Sequence, residues 1–436
     1  MKSSAFFRSF ELAKLAARVG FKELRSGDLK SRFEQAALIA NSLSQLKGAA
    51  MKAGQLLSLD INDYFPPEAI EILSSLQNAA VAQPLPQIEA VLQRELGSEK
   101  RAQIKSLSPV PIGVASIGQV HRARFQGREI VLKVQYSGVS DSIDSDLKIL
   151  KTIAMTLSKV TSRQMQLEPL FQEFRTILKQ EVDYICEANF QKEYGLMVKR
   201  MGTTSDFKFH VPEVVGEIST GLVLAMSYEP GPTLRSWVAS KPSMAQRESL
   251  AYAILDLYFH EFFAWGLVQT DPNWSNFLVQ ETGTQPRLVL LDFGATRRYS
   301  KDFIRDYVHL LQLAAARDPI GLKNHAIQFG LIDGRESPAA FLAFEQMLKI
   351  AIEPFFTSTS GHAKFDFSDK NYSVQSQTAV RNLATELIYS PPPYNLVFLH
   401  RKLGGIYSLL KNLKVRLDVT GYWQKMLEYS ASQTHN

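Results

Sequence analysis

The chain has 436 residues, 45% hydrophobic and 21% charged, the balance of an ordinary globular protein of two or three folded units. A net charge of +6 allows anionic partners but selects none, and no RNA- or DNA-binding signature accompanies it. One cysteine, Cys186, excludes an internal disulfide and fits a reducing compartment.

At the N-terminus Phe6, Phe7, Phe10, Leu12, Leu15, Val19 and Phe21 recur at near-helical spacing, punctuated by Lys2, Arg8, Lys14, Arg18 and Lys22. Those charges interrupt any secretory signal. A basic amphipathic helix of this kind lies on an anionic membrane or docks on its own protein. A mitochondrial targeting peptide is a third reading, opposed by Glu11 and Glu23. Helical patterns then run over 31–96, broken at 60–67, with Leu85-Pro86 opening a helix that ends near Gly97.

From Pro109 the pattern changes. Segments 117–125 and 128–136 read as strands joined by Gln126-Gly127. In the second, Ile130, Leu132, Val134 and Tyr136 share one face, and Val131, Lys133 and Gln135 the other. Helices return over 141–199, and a short strand pair is expected within 216–228. Beyond Gly231 the chain reads as mainly helical. Segment 251–268 is very apolar but carries Asp256, His260 and Glu261, which predicts a buried helix rather than a membrane span. Strands 276–279 and 287–291 make a hairpin. Ser300 caps a helix over 301–316, and helices continue to Leu417 with a break at Pro391.

The chemistry-bearing residues gather around that hairpin. Asp292-Phe293-Gly294 ends the strand 288–291, and an aspartate freed there by a following glycine suits magnesium, which takes carboxylate and phosphate oxygens. Asp271-Pro-Asn-Trp-Ser-Asn276 precedes the partner strand, so the hairpin brings Asp271, Asn276 and Asp292 to one end. The order matches a kinase catalytic-loop aspartate followed by two metal ligands. Lys133, on the strand face away from the apolar stripe, supplies a cation for phosphates, and Glu187 is its expected carboxylate partner. Asp183 and Glu187 are four apart and are expected on one face of a single helix, with Glu181 pointing elsewhere.

These residues resemble a family. Lys52-Ala-Gly-Gln55 is similar to the KxGQ signature of the UbiB family of atypical kinase-like proteins, Glu181-Val-Asp183 to its ExD signature, and 111–120 to its alanine-rich nucleotide loop. The stretch 269–276 and Asp292-Phe-Gly294 complete the family's set, and 269–276 together with the late segment 391–405 resembles its coenzyme-Q branch. The resemblance covers about residues 47–417. It implies an α+β, protein-kinase-like, two-lobed fold with an N-terminal helical extension over the cleft. The expected domains are 1–106 (extension), 107–226 (N-lobe with inserted helices) and 227–436 (mainly helical C-lobe).

The resemblance also implies roles. Gly113, Val114, Ala115 and Ser116 would cover the phosphates of ATP, with Lys133 and Glu187 as the ion pair. Ser227, Tyr228, Glu229 and Pro230 would meet adenine. Asp271 would be the catalytic-loop aspartate, with Asn276 and Asp292 holding Mg2+. Lys52 and Gln55 would reach the cleft from the extension, and Glu181 and Asp183 would meet it. The chain departs from the family at Gly113-Val114, where alanines are usual and glycine adds backbone freedom, and at Gln269, where many members have histidine.

The expected function is an atypical kinase-like ATPase serving ubiquinone biosynthesis at a membrane surface. The alternatives are transfer of the γ-phosphate to a protein or small molecule, and a nucleotide-regulated scaffold. Expected partners are ATP, an anionic membrane surface, and ubiquinone precursors or their enzymes, with a homodimer allowed. In a bacterium the setting would be cytoplasmic and peripheral to the membrane, and in a eukaryote the mitochondrial matrix face. His121, His400, Trp237, Trp265 and Trp423 read as structural.

Overall fold

A computed structural model describes residues 82–158, 167–202, 205–281, 285–360, 364–387, 390 and 394–432. The chain forms two compact units. The first takes the described residues up to Asn189 together with Glu213–Tyr228, and the second takes Phe190–Pro212 and Glu229 onward. The amphipathic helix expected at the N-terminus and the Lys52–Gln55 motif lie outside the described residues.

Among the described residues the first unit opens with α1 (Leu85–Gln103), which starts on a proline and bends at Gly97, where φ is +70°. Five strands follow: β1 (Ile104–Lys105), β2 (Gly113–Val114), β3 (Gly118–Phe125), β4 (Arg128–Gln135) and, much later, β6 (Val223–Ser227). They form an antiparallel sheet in the order β1-β3-β4-β6, with β2 also on β3. The β3–β4 turn is the two-residue Gln126-Gly127, with φ of +49° and +77°, a backbone twist that matches the strands it joins. Ile88, Val91, Leu92 and Leu96 of α1 bury against Ile130, Leu132 and Val134, the stripe expected from the alternation. Each such side chain stabilises by about 1.5–3 kcal/mol.

Helices α2 (Val139–Ser158), α3 (Leu167–Glu181) and α4 (Tyr184–Arg200) occupy the expected helical stretch, with one correction. Glu181, Asp183 and Glu187 do not share a helix. The chain breaks at Val182-Asp183 because the Asp183 carboxylate accepts the backbone N–H groups of Ile185 and Cys186, both at 3.0 Å. That is how an aspartate starts a helix rather than continues one. The strand pair expected within 216–228 is also only half present. Gly216–Ile218 is a 3-10 turn, and Val223–Ser227 alone joins the sheet, paired with β4.

In the second unit β5 (Lys208–His210) was not expected as a strand. It runs parallel to β9 (Arg287–Leu290), which pairs antiparallel with β8 (Phe277–Gln280). A second ribbon joins β7 (Leu267–Gln269) to β10 (Thr296–Arg298), and a third joins β11 (Phe365–Asp366) to β12 (Arg416–Leu417). The helices are α5 (Leu234–Ala239), α6 (Met244–Phe259), α7 (Lys301–Ala315), α8 (Pro319–Gln328), α9 (Pro338–Ile352), α10 (Lys370–Glu386), α11 (Tyr394–Leu413) and α12 (Thr420–Ser432).

Helix α6 is the buried helix expected over 251–268, opened by a capping box between Ser243 and Gln246 and continued by a π turn, His260–Trp265. Its last expected residues instead belong to β7. Ser300 caps α7 by accepting the Phe303 N–H, as expected. The core gathers Tyr194, Leu257, Phe262, Leu288, Phe293 and Leu399. Among the described residues no helix is long and apolar enough to cross a membrane.

Candidate functional site

In the first unit Lys133 and Glu187 meet. Lys133 sits mid-strand in β4, opposite Val120 and Leu224, and its Nζ donates to both Glu187 oxygens at 2.6 and 2.8 Å. The pair is largely dry, with side chains 11% and 1% exposed. Two charges at that separation and burial hold each other firmly, because either one alone would lack its hydration. Glu187 lies in the first turn of α4, whose start Asp183 fixes. The Lys133 ammonium also lies 5.2 Å from the Tyr184 ring centroid. Asp183 itself is exposed, and Glu181, which ends α3, is buried.

The expected nucleotide loop is partly a strand. Gly113 and Val114 pair with Val120 and Gln119, so only 115–117 form the turn, closed by the Ala115 N–H on the Gly118 carbonyl at 2.8 Å. Glycine at 113 therefore sits in an extended rung rather than at a flexible tip. Val114 is exposed, and Ala115 and Ser116 are half-buried.

The expected adenine segment straddles the unit boundary. Ser227 ends β6 and its hydroxyl accepts the Glu213 N–H, while the Tyr228 ring lies 4.0 Å from the Arg122 guanidinium. In the second unit Glu229 meets His210 Nε2 at 2.9 Å, and the Pro230 carbonyl accepts from Gln280 at 2.8 Å.

The second unit also carries the aspartates. The 3-10 turn Trp274–Asn276 ends at β8, and Leu291 donates its N–H to the Asn276 carbonyl at 3.0 Å, so Asn276 and Asp292 leave the hairpin from the same end. Asn276 Nδ2 donates to Asp271 Oδ2 at 3.0 Å. With Nδ2 committed there, the Asn276 side-chain oxygen is the atom suited to a hard cation. Asp292 Oδ1 accepts the Gly294 N–H at 3.0 Å, the contact that a glycine two residues on makes easy. Asn276, Asp292 and Phe293 line one small cavity together with Glu261, Gln269 and Lys402. Among the described residues no three His, Cys, Asp or Glu side chains form a metal cage. One amide and one carboxylate are the partial set that magnesium takes when phosphates complete its shell, so these residues fit the ion.

Four residues at this site were not expected. Arg401 of α11 donates to Asp271 Oδ1 at 3.4 Å. Lys402 Nζ lies 3.0 Å from Glu261 Oε2, and the Tyr194 hydroxyl is 3.1 Å from Glu261 Oε1. Burial pushes the Glu261 carboxyl above its ordinary range against the pull of Lys402, and burial also raises Tyr194 well above its own. The signals available were Glu261 inside an apolar helix and the 400–405 segment. Neither named its partner. His121 is structural, held between Gln119 and the Ser108 carbonyl, and His400 lies at the surface of α11.

Comparison with known proteins follows the same lines. Residues 75–326 match the family model described as ABC1 atypical kinase-like domain. The chain is 33% identical over 392 residues to "Atypical kinase COQ8, mitochondrial" of Saccharomyces cerevisiae, covering 90% of this chain and 76% of that protein. It is 31% identical to "Probable serine/threonine-protein kinase abkA" of Dictyostelium discoideum, covering 88% of this chain and 68% of the other. A solved structure, the complex of Rv3197 with erythromycin from Mycobacterium tuberculosis, has the same fold, with a TM-score of 0.61, 24% identity, and coverage of 91% of this chain and 97% of that one.

Proposed function

We propose, from the premise that the chain belongs to the ABC1 (UbiB) family of atypical kinase-like proteins, that it binds ATP with magnesium and hydrolyses it in support of ubiquinone biosynthesis at a membrane surface. The family's fold is kinase-like and α+β, as seen in both units. The observation that carries the nucleotide reading is the Lys133–Glu187 pair at 2.6 Å, a strand ammonium braced by a helix carboxylate. The Asp271–Asn276 hydrogen bond and the exit of Asp292 beside Asn276 support it from the second unit.

In this reading Lys133 neutralises phosphate charge, the turn 115–117 covers the phosphates, and 227–230 meets the base. Asn276 and Asp292 would hold the magnesium ion, which supplies charge neutralisation on the β- and γ-phosphates. Asp271 orients the attacking hydroxyl group, that of water for hydrolysis. Lys52, Gln55, Glu181 and Asp183 are assigned a regulatory role over access to the nucleotide.

Hydrolysis is favoured over peptide phosphorylation by the chain after Gly294. It enters β10 at Thr296 and the capped helix α7 at Lys301, leaving little length for a peptide-docking loop. The setting proposed is the cytoplasmic membrane face in a bacterium or the matrix face in a eukaryote, with ubiquinone precursors or their enzymes as partners.

The test is phosphate release by the purified full chain with ATP and Mg2+, with and without liposomes containing anionic lipid. Turnover that rises with liposomes, together with loss of Mg2+-dependent nucleotide binding in Asn276→Ala and Asp292→Ala, is the expected result. No turnover in either condition, despite tight ATP binding, refutes hydrolysis. Labelled γ-phosphate on an acceptor, abolished by Asp271→Asn, would replace it with a transfer reaction.

A further inference from the structure

Helix α11 is separated from the loop 269–276 by well over a hundred residues of chain, yet it touches that loop at successive points. Arg401 reaches Asp271 at 3.4 Å, with side chains 9% and 11% exposed. Lys402 reaches the Gln269 side-chain oxygen at 3.5 Å while paired to Glu261 at 3.0 Å, with side chains 5% and 1% exposed. A Cβ placed on Gly405 would lie 2.0 Å from Pro272 Cβ, so the helix backbone itself is seated on the loop. Gly405 is three and four residues beyond the two cations and therefore shares their side of the helix.

Stability alone does not call for this arrangement. A buried ion pair is commonly no better than apolar side chains of the same volume. Here the charges sit at the start of the loop, and the carboxylate of Asp271 is held from two directions, by Arg401 on Oδ1 and Asn276 on Oδ2. That fixes the plane of a carboxylate, which packing by hydrocarbon cannot do.

We propose that α11, through Arg401, Lys402 and Gly405, is the positioning element of the catalytic loop, setting where Asp271 points rather than touching the nucleotide. Its effect on turnover rests on the reading of Asp271 given above. Its effect on loop order does not.

The test uses the full chain and three variants: Arg401→Met, Gly405→Ala, and the double variant Glu261→Gln with Lys402→Met. The double variant removes both charges and leaves no buried ion unpaired, so it is expected to fold. Hydrogen exchange of a peptide spanning 267–277, measured without nucleotide, is expected to accelerate in every folded variant while β3 and β4 keep wild-type protection. Turnover is expected to fall by about tenfold to a hundredfold with ATP-analogue affinity retained, the cost of a misplaced reacting group. Arg401→Lys is expected to recover part of it. Wild-type loop exchange in the folded double variant and in Arg401→Met overturns the proposal. If the wild-type chain hydrolyses no ATP, the function reading fails and the exchange comparison still decides this one.

Discussion

Replacing Lys133 by methionine removes an ammonium that lies 2.6 and 2.8 Å from the two Glu187 oxygens, and it takes both of those hydrogen bonds from a carboxylate only 1% exposed. Breaking such a pair from one side costs about 3–5 kcal/mol, and the 11% exposure of Lys133 puts this case toward the lower end. Glu187→Gln keeps the shape of the acceptor but removes the charge opposite the ammonium, with a cost of the same order. The double variant removes both charges of the pair together and is expected within about 1 kcal/mol of wild type. The non-additivity is therefore on the order of several kcal/mol, far beyond the few tenths seen between independent sites. For a unit of this size each kcal/mol moves the melting midpoint by about 2–4 °C.

The probe has to report on the right part of the molecule. All four tryptophans, at 237, 265, 274 and 423, lie in the second unit, so their fluorescence reports on that unit and not directly on β4 or α4. Amide exchange of β4 and the start of α4 in rising urea reads it directly. Wild-type protection in all three variants, or a double-variant cost equal to the sum of the singles, would show that the two groups do not sense each other.

Two further outcomes follow from the same region. Gly118→Ala would put a Cβ 2.6 Å from the Val134 carbonyl oxygen and 2.7 Å from the Tyr184 hydroxyl, a clash expected to cost about 1–3 kcal/mol, whereas Gly113→Ala meets only Val120 at 3.8 Å and should be neutral or slightly stabilising; thermal melts of the two variants check the contrast. Asp183→Ala removes the acceptor of two N–H groups at the start of α4 and is expected to cost about 1 kcal/mol, with Asp183→Asn nearly neutral, read by exchange at Ile185 and Cys186.

Local signals carried much of this fold. The Gln126-Gly127 turn, the alternation along β4, the Ser300 cap and the 276–291 hairpin each depend on neighbours in sequence, and each formed where expected. The hairpin also set Asn276 beside Asp292, whereas Glu187 was named as the partner of Lys133 from the kinase pattern, 54 residues away in sequence. The departures have a common cause. β5 has three residues, and β7 and β10 three each, too short to show a period; their existence depends on partners in distant sequence. Asp183 was read by its spacing to Glu187, but its preference for a helix start outweighed the periodicity. Arg401 and Lys402 carry no local mark of the carboxylates they meet, 130 and 141 residues away.

The way the chain alternates between its two units constrains how it can be made. The sheet of the first unit stays incomplete until β6 has left the ribosome, because β4 needs residues 223–227 as its outer neighbour. By then residues 190–212 are already synthesised, and their β5 must wait, unpaired, for β9 some eighty residues later. Early release or a slow stretch of translation between those points would leave a bare strand edge able to capture another nascent copy. Neither unit corresponds to a single uninterrupted gene fragment, so expression of either half alone would yield a chain missing one of its own strands or carrying one of its neighbour's.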